Sequence, residues 1–354
     1  MNMKKILIFC LLFCLIGCSS ENESDRNAPE SESKNTAEDT AERLTARLAP
    51  PLEKPAATTE LTLDNAPVMD GSDSTQPLRM LLMCRLLGID CQWEMDGALT
   101  LTWRILPEWS KQSALSKFLK NNNTHLSFTS LIKGSCDITI TARGISRDEQ
   151  KEADENGVEV LSHPIARDAF IFIVNAANPV KSLTTEQVKS VYMGEITSWA
   201  EVGGRDAAIR PYVRNANSGS QEMMETEFMD GQTMPDWTQL RLWTMIDPYT
   251  TLAEDVDGIC YTPFYYYDSI VRSERVSPVA LDGITPSKTT IGNGTYPYPW
   301  EVMVNVRADI DKSSTAYQLF YQLATGMHDD IIEESGYIPL RRNEPSTGIH
   351  PPVR

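Results

Sequence analysis

Two kinds of apolar patterning divide the chain. Residues 6–16 form an unbroken apolar run behind Lys4 and Lys5. The run is too short to span a bilayer comfortably, and its charged front edge marks a targeting segment that is not part of the fold. From about residue 66 to 345, short strand-like apolar runs alternate with stretches of helical periodicity. The pattern predicts strands at 136–142 and 169–175 and helices at 115–120, 185–193 and 316–324. Such alternation predicts an α/β fold whose ligands bind beyond the carboxyl ends of strands. The segment is also too long for one ordinary core, which predicts two lobes.

Between these regions, residues 19–62 are rich in Glu, Ser, Asn, Ala and Pro and are broken at Ala49-Pro50-Pro51-Leu52. A segment of that composition cannot bury enough apolar surface to order itself, so 18–65 reads as a disordered acidic tether. Leu15-Ile16-Gly17-Cys18, followed by Ser19 and Ser20, resembles a lipobox. It implies a signal peptide over 1–17, lipidation of Cys18, and an exported protein anchored to the cell envelope through lipid chains, on the periplasmic face or the cell surface. Residues 346–354 read as a tail.

A formal net charge of −17 argues against nucleic acid and against electrostatic docking on anionic lipid. It does not exclude a small anion, which is held by short-range directed donors while the surface field is screened within roughly 10 Å. Setting Cys10, Cys14 and Cys18 aside leaves Cys84, Cys91, Cys136 and Cys260, whose spacing matches no metal site. Both a Cys84 to Cys91 bridge and buried free thiols fit.

The segment richest in chemistry runs from 209 to 228. An apolar strand at 209–213 meets Arg214-Asn215-Ala216-Asn217-Ser218-Gly219-Ser220, and a helix is expected from about Gln221. Helix-start N–H groups, the Ser218 and Ser220 hydroxyls and the Arg214 fork can converge on one anion. Equally, Ser218 can simply cap the helix, with Gln221 completing a capping box. Asp70-Gly71-Ser72-Asp73-Ser74-Thr75-Gln76-Pro77 offers the same pair of readings, anion cradle or cap, with Gly71 permitting a tight turn and Pro77 suited to a first helical turn.

Arg-x-x-x-Ser-Gly-Ser at 214–220 is similar to the phosphate loop of the periplasmic phosphate-binding proteins. Asn175-Ala176-Ala177-Asn178-Pro179, Gly194-Glu195-Ile196-Thr197-Ser198-Trp199, Gly283-Ile284-Thr285-Pro286 and Ser335-Gly336-Tyr337-Ile338-Pro339 follow that family's order. The resemblance implies a two-lobed periplasmic binding protein type II fold with a ligand cleft between lobes. Lobe 1 would comprise 66–167 plus 279–345 and lobe 2 would comprise 168–278, with hinges near 164–168 and 276–279. It further implies capture of inorganic phosphate, or a related oxyanion, for an ABC transporter permease, without cofactor, metal or catalysis. The ligand set it implies is Ser72, Asp73, Ser74, Thr124, Thr141, Arg143, Arg214, Ser218, Gly219 and Ser220.

One position departs from the family. Where some relatives place a carboxylate that accepts the proton of hydrogen phosphate, this chain has Ala142. Either Asp73 supplies that acceptor, or Thr141 and Arg143 make the site purely donating. Two other functions compete with a receptor: an anion-binding sensory or interaction protein that kept the fold, and a phosphoester hydrolase using Ser218 or Ser220. The latter needs a base, and His125, His163, His328 and His350 all lie outside both serine-rich turns.

Overall fold

A computed structural model describes residues 52–340, except 56, 57, 97–101 and 217. The signal segment, Cys18 and the 346–354 tail lie outside the described residues. The chain enters at β1 (Met69–Gly71) and passes through α1 (Gln76–Leu86) to a hairpin of β2 (Cys91–Asp96) and β3 (Thr102–Pro107). Then come α2 (Trp109–Leu115), α3 (Thr124–Ile132), β4 (Ile138–Thr141), α4 (Arg147–Glu155) and the long β5 (Val160–Asn175). Next are β6 (Ser182–Leu183), α5 (Thr185–Tyr192), β7 (Arg210–Pro211), β8 (Val213–Arg214) and α6 (Gly219–Met223). β9 (Arg241–Leu242), α7 (Asp247–Glu254), β10 (Gly258–Pro263), β11 (Val276–Pro278), β12 (Ala280–Leu281) and α8 (Lys288–Gly292) follow. β13 (Pro299–Arg307), α9 (Thr315–Ala324), α10 (Asp329–Glu334) and β14 (Ile338–Pro339) close the chain.

β5 organises everything else. Its first part, from Val160 to Ala169, pairs antiparallel with β13, which in turn pairs with β4 and thereby β1. From Phe170 onward its partners are β10 and β11. The strand therefore feeds two sheet regions, with the change of partner between Ala169 and Phe170. The register with β13 shifts between Val302 and Met303, opposite Pro164 and Ala166. Proline has no N–H for the ladder, so an irregularity beside Pro164 is where a strand tolerates it. The apolar run Phe170 to Val174 is buried on both faces, as expected of a strand covered on each side. Phe170, Phe172, Tyr192, Phe228 and Tyr261 cluster there, with Phe172 and Phe228 ring centroids 4.6 Å apart.

Several expectations are corrected. Residues 116–118 form a turn instead of continuing a helix to 120, because α2 starts earlier and ends at Leu115. The strand expected at 209–213 is split into β7 and β8 around Tyr212. The expected tether ends sooner than 65. Leu52 and Leu61 pack on the core, the Tyr317 hydroxyl donates to Glu53 O at 2.7 Å, and Gln318 of α9 bonds Thr59 N and O. Two apolar anchors and paired backbone groups are enough to hold a polar segment that composition assigns to disorder. Cys84 and Cys91 are free thiols joined by a hydrogen bond, and that bond together with burial pushes the Cys84 thiol up.

Candidate functional site

The turn after β1 is fastened from behind by buried side chains. Arg79 of α1, 1% exposed, donates to Ser72 O at 3.0 Å, Asn121 Oδ1 at 2.7 Å, Thr75 Oγ1 at 3.3 Å and Lys120 O. Burial pulls its guanidinium down to about 10. The Thr75 hydroxyl donates to Ile140 O at 2.7 Å, and Tyr337 OH donates to Ser74 O at 3.0 Å. Tyr337 is itself stacked on Tyr265 at 3.7 Å between centroids, so the Ser335-Gly336-Tyr337 motif is a brace for this turn. Gly71 is required for close approach: a Cβ there would lie 2.2 Å from Ile140 O. The result presents Ser72 and Ser74, whose hydroxyls are 3.0 Å apart, while Pro77 occupies the first turn of α1 as its fixed φ suits.

The second turn hangs from β8. Gln221 Oε1 accepts from Arg214 N at 3.0 Å and from Tyr261 OH. The Ser218 hydroxyl accepts from Gln221 N at 3.3 Å and caps α6, which begins at Gly219 and not Gln221. Half of the capping box is therefore present, and the Gln221 amide is diverted to the Arg214 backbone. Arg214 is 3% exposed, and its Nη1 touches Met245 Sδ at 3.3 Å. Asp247 accepts from the Trp243 and Thr244 amides, each at 2.8 Å. Although burial works against it, Thr244, these amides and the Arg214 charge hold Asp247 below the usual carboxylate range.

Two more elements close the site. Asn123 caps α3 by accepting from Leu126 N at 2.8 Å, which sets the buried Thr124 at the helix start. A Cβ on Gly219 would come within 3.1 Å of Thr124 Oγ1, so the α3 and α6 starts nearly touch. Beyond β4, Arg143 makes a bidentate pair with buried Glu149 at 2.8 Å for each bond, and Glu149 also lies 3.4 Å from His125 Nδ1.

These pieces line a single cavity of about 240 Å³. Ser72, Asp73, Ser74, Thr124, Arg143, Arg214, Ser218, Gly219 and Ser220 all border it, as do Asn123, Ala142 and Asn215. Met223, Trp243, Met245, Pro263 and Trp300 form its apolar part. Thr141 is the exception among the expected residues. The strand turns it inward, where it is fully buried, donates to Arg143 O at 2.8 Å and accepts from Asn305 Nδ2 at 3.0 Å. Asp73 is exposed, and one of its oxygens accepts from Asn121.

Two arginines at this cavity each keep one nitrogen without a partner, although the other nitrogens of Arg143 are taken by Glu149 and Gly144 O. Arg214 Nε and Arg143 Nε are buried and unbonded among the described residues, and so is the acceptor Asn215 Oδ1. Leaving a buried donor unmade costs about 1–3 kcal/mol, and more for a charged group, so a protein retains such atoms where something else meets them. Arg79, Tyr337, Gln221 and Asn215 were not singled out as functional from the sequence. An arginine in the apolar stretch of α1 was the legible signal for the first; the others carry none.

Comparison with known proteins places the chain among relatives. A family model described as a PBP superfamily domain matches residues 112–304. The phosphate-binding protein PstS of Staphylococcus epidermidis is 23% identical over 240 residues, covering 65% of this chain and 72% of that one. A Clostridium perfringens protein described as a phosphate ABC transporter substrate-binding protein, solved with bound phosphate, superposes with a TM-score of 0.56 at 19% identity. The alignment covers 77% of this chain and 98% of that one. An ABC-type phosphate transport receptor from Vibrio cholerae gives a TM-score of 0.55 at 20% identity, over 79% and 99% of the two chains.

Proposed function

The chain belongs to the PBP superfamily, and from that membership we propose that it is a receptor that encloses inorganic phosphate, or a related oxyanion, between two lobes and delivers it to an ABC transporter permease. The observation that carries this reading is the pair of buried, unbonded guanidinium Nε groups at one cavity that both serine-rich turns border. Hydroxyls of Ser72, Ser74, Thr124, Ser218 and Ser220 surround the guest, with the N–H groups at the start of α6 adding directed donors. Thr141 acts from behind by holding the Arg143 carbonyl. Names of relatives at 23% and 20% identity point to the same ligand.

The geometry favours holding over conversion. The Ser218 hydroxyl is occupied as a helix cap, and His125, the histidine nearest the turns in sequence, faces Glu149. Lobe 1 is drawn as 66–167 plus 279–345 and lobe 2 as 168–278, hinged near the Pro164 irregularity. The return crossing is drawn near 276–279, between β11 and β12. No helix of the described residues is long and apolar enough to cross a membrane. Attachment to the envelope is assigned to lipidated Cys18. Titration of the purified protein with phosphate, sulfate, arsenate and phosphate esters by calorimetry tests the reading: tight phosphate binding is expected, and heat from none of these anions would overturn it.

A further inference from the structure

Donors dominate the cavity: two guanidinium groups, six hydroxyls and the α6 start. A site built of donors alone binds fully ionised and protonated oxyanions alike, because neither presents a proton that must be accepted. Discrimination requires an acceptor that faces the guest and has nothing else to bond. Asp73, the carboxylate at the cavity, is exposed and shares its charge with Asn121 and with water. Asn215 is different. Its Oδ1 is buried and has no partner among the described residues, and the residue borders the cavity and adjoins Arg214 in the chain. Its backbone is spoken for, since Asn215 N donates to Leu242 O at 3.1 Å and Ser218 N donates to Asn215 O at 2.9 Å. The main chain that carries this amide is thereby held in place by β9 and the turn.

Resting on the receptor reading above, we infer that the Asn215 side-chain oxygen accepts the proton of a singly protonated oxyanion and is the residue that selects it over a fully ionised one. The acceptor is neutral, so the penalty on an unprotonated guest is a lost hydrogen bond and dipole repulsion, not the clash of two charges. Selectivity is therefore graded. Sulfate binds measurably, weaker than phosphate by roughly tenfold to a hundredfold, the range that one hydrogen bond to a charged group spans.

Calorimetric titration of the full-length protein with phosphate and sulfate at fixed ionic strength tests this. Asn215→Ala is expected to weaken phosphate roughly tenfold or more and leave sulfate within about twofold. Asn215→Asp keeps an acceptor and is expected to retain phosphate while reducing sulfate at least about tenfold further. A melting curve for each variant verifies folding, and the near-isosteric Asp variant serves if the Ala variant does not fold. Parallel loss of both anions in Asn215→Ala, as for an amide that donates or only shapes the turn, would overturn the assignment. So would equal wild-type affinities. Binding of neither anion by the wild type, by contrast, sinks the receptor reading itself.

Discussion

The two serine-rich turns present the same residue types to one cavity but are built in opposite ways. Behind Ser72 and Ser74 stands a buried cation, Arg79, whose donors are consumed by backbone carbonyls and by Asn121 and Thr75. Behind Ser218 and Ser220 stand neutral groups, Gln221 and Tyr261, which bind the Arg214 backbone and leave its guanidinium Nε unbonded. One turn uses its arginine for scaffolding, and the other leaves its arginine's Nε unbonded, which the proposed function assigns to a guest. The lesson is that an arginine beside a polar loop signals an anion site only when its N–H groups are not already occupied by carbonyls.

The contrast makes opposite predictions for the two arginines. Arg79→Met should cost about 3 kcal/mol or more in stability, because several buried acceptors lose their donor at once. Urea unfolding measures it, and a loss below about 1 kcal/mol would erase the distinction between the turns. Arg214→Ala should instead weaken phosphate binding by at least about 2 kcal/mol while stability holds or rises, since an unpaired buried charge is removed. Unchanged phosphate affinity in calorimetry would contradict it.

Beside the change of partner in β5 lies Asp168, whose Oδ1 accepts from Ala169 N at 2.7 Å and Tyr265 N at 2.8 Å. Burial nevertheless pushes its carboxyl from 3.8 up to about 7. The folded state thus holds this proton more tightly than the unfolded chain, so stability falls as pH rises from about 4 to 7 and levels off above. Asp168→Asn should remove that decline, gaining about 4 kcal/mol at about pH 8 and little at about pH 4. Melting curves across that range check the slope; an equal gain at both ends would refute it. The smallest effect is expected at the contact between the turns' helices. Gly219→Ala brings a Cβ to 3.1 Å from Thr124 Oγ1 and should reduce phosphate affinity by about 1 kcal/mol, with melting temperature nearly unchanged.

Much of this was readable before any coordinates. Periodicity located the helices α5 and α9 to within a residue or two, because burial there follows from composition and spacing, whereas the strand expected at 169–175 is only the buried end of β5, which begins at Val160. A serine-rich turn with a glycine before a helix start marked both turns, and nine of the ten expected ligand residues border one cavity. Thr141 does not. The short strand β4 is buried along its whole length, so alternation gave no hint of which side faced the cavity. The anchoring of Glu53 and Thr59 was missed as well, since Tyr317 and Gln318 of α9, which hold them, lie about 260 residues away in the chain.

The linear order of residues, then, determined which groups this protein can bring to a site: hydroxyls, helix-start amides and arginines on α/β elements. Those are properties of local pattern and residue chemistry. Which of these groups remain unbonded was decided only by tertiary contact. Arg79 and Arg214 are alike in the sequence, and their roles separate because carbonyls from distant segments reach one guanidinium and leave the other's Nε without a partner. Hydrogen bonding is saturable and short-ranged, so the occupancy of each donor depends on where the whole chain has folded.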